Sequence, residues 1–220
     1  MPLLSIGTST KTLKSDKSAS PYRTAILYLA PADTVSGINL CAMAVRAGCR
    51  DACLYKAGRG AFSNVQAARI RKTEYYRDNP SSFIADLVLD IEREQRKANR
   101  NGYKLAVRLN GTSDIWWEKF GIFQRFPDVQ FYDYTKHFNA LRLAHVAMIP
   151  NYHLTISYSQ TSPQYARKVI NQTAANIAAV FSAQAFAALG SHYALPGGRV
   201  LPVLNGDLTD ERFLDPTDQQ

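Results

Sequence analysis

The residues in this 220-residue chain whose type and spacing point most directly to chemistry are its three cysteines. Cys41, Cys49 and Cys53 lie in CAMAVRAGCRDAC, a C-x7-C-x3-C arrangement on a glycine-containing stretch, with Cys49 and Cys53 one helical turn apart. An odd, clustered set of thiols does not make a disulfide framework, whereas three soft ligands on one loop suit one soft metal centre. Three thiolates hold three corners of a [4Fe–4S] cube and leave the fourth iron for a substrate, a cofactor or another side chain. Zinc held by three cysteines and one histidine is the alternative filling, and three small buried hydrophobes the metal-free one. Zinc needs a fourth ligand, and His137, His145, His153 and His192 are distant in sequence, none paired at short ligand spacing.

The elements that must position these thiols are legible as alternating apolar runs and helical periodicities. Thr24 to Ala30 (TAILYLA) reads as a buried strand feeding a long loop, residues 31–60, that carries the cysteines. Ser63 opens a helix to about Asp78. A second starts at Ser81 or Ser82 and repeats Ile84, Leu87, Val88 and Ile91 before Asn101-Gly102 stops it. Tyr103 to Leu109, Val129 to Tyr134, His153 to Tyr158, Ile177 to Ser182 and Arg199 to Leu204 read as further strands. Between them fall a short helix faced by Trp116, Trp117, Phe120 and Phe123, one over Phe138 to Met148, and one from Pro163 to Asn176. Pro202 demotes the last strand to an edge. Six strands, each but the last followed by a helix, predict an α/β fold: a partial (open) parallel β/α barrel of about six strands, with a doubly wound sheet as the competitor. The expected organisation is a flexible N-terminal arm over residues 1–20 and a single domain over residues 21–220.

In such folds ligands gather at the carboxyl ends of the strands. The residues there are Asn110 and Asp114 after the second strand, Thr135, Lys136 and His137 after the third, and Ser157 and Ser159 around the fourth. Ser182 and Gln184 follow the fifth, and Asn205-Gly206-Asp207 the sixth. Asn110, Lys136 and Asp207 are the candidates for holding a cofactor or small-molecule ligand beside the cysteines. Trp116 and Trp117 could stack a base, although their spacing also suits a core.

Composition bounds the partners. Hydrophobic residues make up 46% of the chain and charged residues 20%, which excludes a disordered polymer, and no apolar run approaches the ~20 residues of a membrane span. The net charge of +8 is carried by residues 1–104, with 17 Lys/Arg against 9 Asp/Glu; residues 105–220 hold 9 of each. A basic stretch over residues 46–104 is compatible with a phosphate-bearing partner such as nucleic acid, or with solvated helix faces. The terminus MPLLSIGTSTKTLK shows no apolar core followed by a cleavage site, so the expected compartment is the cytoplasm.

The runs CAMAVRAGCRDACLYKAGRG, VRLNGTSDIWWE, FPDVQFYDYTKH and VLNGDLTDERFLDP, in that order, resemble the gene-product-eighty-eight family of phage proteins, over about residues 24–215. The placement of the cysteine loop after a first strand is more distantly similar to that of radical S-adenosylmethionine (SAM) enzymes, which space their cysteines C-x3-C-x2-C and carry a Gly-Gly-Glu segment not found here. These resemblances imply a phage iron–sulfur protein with a [4Fe–4S] cluster on Cys41, Cys49 and Cys53, acting as a radical SAM-like or redox enzyme, with SAM as a further cofactor. The alternative they leave is a non-enzymatic cluster- or zinc-bearing accessory or virion protein that binds nucleic acid. The implied location is the cytoplasm of the infected host cell, or the virion.

Overall fold

The computed structural model describes residues 2–7, 11–12, 20–51, 53–137, 139–158, 175–195 and 198–216. Strand β1 (Leu4–Ile6) pairs antiparallel with β2 (Tyr22–Leu27). Helices α1 (Ser63–Asp78) and α2 (Pro80–Asn101) follow, then β3 (Lys104–Arg108), α3 (Ile122–Arg125), β4 (Gln130–Thr135), α4 (Ala140–Ala147), β5 (Tyr152–Ser157) and β6 (Ile177–Ala178). These strands form one six-stranded sheet in sequential order, β2 to β6 parallel throughout. The architecture is therefore mixed α/β with a mostly parallel sheet that does not close into a barrel. After α5 (Ala183–Ala187), β7 (His192–Ala194) and β8 (Val200–Pro202) make a separate antiparallel pair.

The expectations for both ends of the sheet need correction. The strand expected over Arg199 to Leu204 shrinks to β8 and leaves the main sheet: Pro202, which has no N–H to give a ladder, sits opposite His192 in the small pair. The sixth strand of the main sheet comes instead from the segment read as an arm. There Leu3 is fully buried, and the backbone N–H groups of Leu3 and Leu4 donate to Asp90 of α2. The helix expected from Pro163 to Asn176 lies, but for its last two residues, outside the described residues, as does Ser159.

Each parallel strand alternates between two unlike faces. Ala25, Leu27, Leu105, Val107, Phe131, Leu154 and Ile156 point toward the helices and join Phe83, Leu87 and Ile91 of α2 and Leu143 and Val146 of α4 in one apolar core. The register puts Thr24 beside Ala106, Ile26 beside Arg108, Tyr132 beside His153 and Tyr134 beside Thr155 on the opposite face. That face is polar, where the interior of a closed β/α barrel is dominated by Val, Ile and Leu. It is covered by a C-terminal strap, residues 209–215. Phe213 packs edge-on to Tyr22 at 4.9 Å and against Tyr132 at 5.4 Å, and the Tyr132 hydroxyl donates to Asp210 at 2.7 Å.

Helix boundaries follow local chemistry. Pro80 takes the first turn of α2, where its missing N–H costs nothing, and Gly102 ends the helix at φ +73°. The aromatic segment after β3 is not one helix: Gly121 (φ +65°) divides a 3-10 turn, Trp117–Phe120, from α3. No helix among the described residues is long and apolar enough to cross a membrane.

Candidate metal centre

The cysteine loop leaves β2 at the carboxyl end of the sheet and is fixed by hydrogen bonds within itself, to α1 and to the turn after β3. Ala30 N–H donates to Thr73 Oγ1 of α1 at 2.8 Å, Leu40 N–H to Ala32 O at 3.0 Å, and Arg77 Nη1 to Ser36 O at 2.8 Å. Asp114 N–H donates to Leu40 O at 2.8 Å, so the turn after β3 is stitched to the loop one residue before Cys41. Val35, Leu40, Ala44 and Tyr55 are its buried anchors.

All three cysteines are free thiols and half-buried. Cys41 Sγ lies 3.6 Å from Thr112 O, Cys49 Sγ 3.6 Å from Ala44 O, and Cys53 Sγ accepts from Tyr55 N–H at 3.5 Å. Burial pushes the Cys41 thiol up to about 12, with Asp114, Cys53 and Cys49 adding to the rise. Burial also raises Cys49, against the charge of Lys136, while Cys53 and Asp114 raise it further. The three sulfurs therefore stand within each other's electrostatic reach, with one cation and one carboxylate beside them. As they stand, no three His, Cys, Asp or Glu among the described residues converge tightly enough to hold a metal ion. In its chemistry the donor set fits a soft metal or an iron–sulfur cluster, because three thiolates on one loop are what such a centre takes.

Lys136 is brought to this place. Its Nζ donates to Ser157 Oγ at 2.8 Å, at the rim of the polar face, and its charge reaches Cys49. Asn110 is buried, and its side chain is engaged by its own turn. Its Oδ1 accepts from Ser113 Oγ, Ile115 N–H and Trp117 Nε1 at 2.9–3.0 Å, and its Nδ2 donates to Ile115 O. Asp207 is exposed and pairs with Lys11 at 2.8 Å. Asp114 has the structural role that its position leaves open: its carboxylate accepts from the Thr135 hydroxyl at 2.7 Å and from Lys136 N–H at 2.9 Å, fixing the chain where β4 ends. Trp117 is core, while half-buried Trp116 donates to His137 Nδ1 at 3.1 Å and lies under Lys119 Nζ at 4.5 Å.

Part of the basic stretch is turned inward or paired. Arg69 is buried, with its guanidinium 4.8 Å from the Tyr28 ring and 5.7 Å from the Tyr55 ring, and Cys53 is among the groups whose charge acts on it. Lys72 donates to Leu3 O at 2.6 Å, and Arg50, Arg77, Arg93 and Lys97 face acidic neighbours. The sequence reading missed Arg69 as a loop support and missed Arg108 and Asp210 on the polar face. The signal for Arg108 was present: its charge follows directly on the apolar run of residues 105–107, and the register puts it on the face of the β4 tyrosines.

Fold and site together define an α/β protein with a three-cysteine loop at the carboxyl ends of a parallel sheet. The chain belongs to the phage family Gene product 88, whose family model matches residues 3–220. No curated protein and no solved structure matches it significantly.

Proposed function

We propose that this protein is a phage iron–sulfur protein in which the thiolates of Cys41, Cys49 and Cys53 hold a [4Fe–4S] cluster above an open, partial β/α barrel. On this reading it acts on a small polar molecule as a redox or radical SAM-type enzyme in the infected host cell. The observation that carries it is the placement of three free thiols, from one anchored loop, within each other's fields at the carboxyl ends of β2, β3 and β4. Bound there, the cluster supplies one-electron chemistry and one iron open to a ligand. The chain's own residues set the stage: Asp114 fixes the end of β4 against the loop, and Lys136 places positive charge beside Cys49, offsetting the thiolates' negative charge.

Anaerobic reconstitution with iron and sulfide tests the reading. The expected product is brown, sensitive to oxygen, and contains about four iron and four sulfide per chain. A protein that stays colourless while binding zinc stoichiometrically overturns it. Reductive cleavage of SAM by the reconstituted protein then separates an enzyme from an electron carrier.

A further inference from the structure

The polar face of the sheet holds an arrangement that packing alone does not explain. Tyr132 and His153 stand side by side in register, with Arg108 on the neighbouring strand reaching the Tyr134 ring at 4.7 Å. One step nearer the carboxyl ends Tyr134 is in register with Thr155. Arg212 of the strap reaches the same place, since its charge acts on both His153 and Tyr134. Four atoms here are sealed from water without a hydrogen-bond partner: Arg108 Nε, His153 Nε2, Thr155 Oγ1 and Arg212 Nε. Thr155 is 2% exposed and Arg212 7%. A strap that merely closed a core would satisfy the polar atoms it covers, because nearly all buried polar atoms in folded proteins find partners.

The remaining atoms show what the face accepts. Arg108 Nη1 lies 3.3 Å from Asp210 Oδ2, the same oxygen that takes the Tyr132 hydroxyl, so an oxyanion already sits at one edge. Arg212 uses Nη2 on Thr209 O at 2.8 Å and Nη1 on Asp215 at 3.2 Å. The unused set consists of two guanidinium N–H donors, a hydroxyl and an imidazole nitrogen that donates in one tautomer. Donors on two cations call for an acceptor-rich, negatively charged guest.

We propose that this face binds a small oxyanion, the carboxylate or phosphate group of a ligand, between Arg108 and Arg212, with Thr155 and His153 as further donors. The site does not depend on the cysteines. It can exist whether or not they hold a cluster.

The test uses the full chain with 15N-labelled histidine, titrated at neutral pH and constant ionic strength with inorganic phosphate and, separately, with acetate. The expected result is a saturable shift of the His153 ring nitrogens, with His137, His145 and His192 unmoved. Binding weakens by about tenfold or more in Arg212→Gln and Arg108→Gln, and is unchanged when Cys41, Cys49 and Cys53 are all serine. Tighter binding of one anion identifies the ligand's head group. A His153 signal that does not move with either anion, or moves equally in a folded Arg212→Gln variant, overturns the proposal. Should both glutamine variants fail to fold, Thr155→Val takes their place: it must weaken binding, and unaltered binding counts against the site. Loss of cluster assembly with anion binding intact would reject the cysteine reading alone.

Discussion

Single residues in this protein act through what they hold rather than through their exposure. Asn110 occupies a strand end, where a ligand-facing residue is expected, yet three donors converge on its one carbonyl oxygen and the turn after β3 is built on it. Sequence position could not separate these roles, because a polar side chain at a strand end looks the same whether it faces a ligand or its own backbone. That the cysteines share one loop after β2 was legible from their spacing, and the position of Lys136 at the carboxyl end of the sheet from its place after β4. His153 illustrates a residue whose environment overrides its type. Burial, with Arg212 nearby, pushes its pKa down to about 4, so the folded protein keeps it neutral while the unfolded chain protonates it near 6.5. The folded form is therefore disfavoured as pH falls through that window, and the contribution is fully present only above about 6.5. Wild type should lose more stability between pH 7 and pH 4 than His153→Gln, measured by urea denaturation at each pH. Asp133, raised to about 7 by burial, opposes the trend, but it is common to both proteins and drops out of the comparison. Parallel curves would mean that His153 is not held neutral.

At the scale of elements, strands β2 to β5 and the long α2 helix were legible because their apolar residues repeat over enough positions to define a run or a face. α4 was legible as a helix but not in orientation. Leu141 and Met148 gave it an apparent apolar side with Phe138, yet they are 84% and 80% exposed, and the buried side is Arg142, Leu143 and Val146. Arg142 belongs inside because Glu118 meets its Nε at 2.6 Å and the Thr135 hydroxyl accepts from its Nη1 at 3.0 Å. A paired arginine can occupy a core position, which a periodicity of apolar residues does not register. Leu143→Ala should cost about 2–4 kcal/mol in chemical denaturation, whereas Leu141→Ala should stay within about 0.5 kcal/mol. The reverse order would restore the face read from sequence. β1 was missed for a related reason: three residues are too few to show alternation, and the strand is specified by Asp90, far along the chain.

At the scale of the whole molecule, the parallel pairing of the central strands was legible, and their order and the coverage of the sheet were not. Parallel strands follow from alternation of strand and helix, whether the sheet is sequential or doubly wound, and nothing local announces that residues 209–215 return across the polar face. Phe213 holds that return through Tyr22 and Tyr132, so Phe213→Ala should loosen the strap and speed proteolytic cutting within residues 203–208, as followed by mass spectrometry of limited digests. An unchanged digestion pattern would show that the polar contacts of Asp210 and Arg212 suffice. The strap has a further consequence in time. Asp210 lies 102 residues beyond Arg108, so during synthesis the cysteine loop, the helices and most of the sheet emerge while the polar face is still bare. A ribosome-bound chain would pass through a stage at which small molecules and ions can reach Arg108 and His153 unhindered, and residues 209–215, emerging after the sheet, would close over whatever had entered.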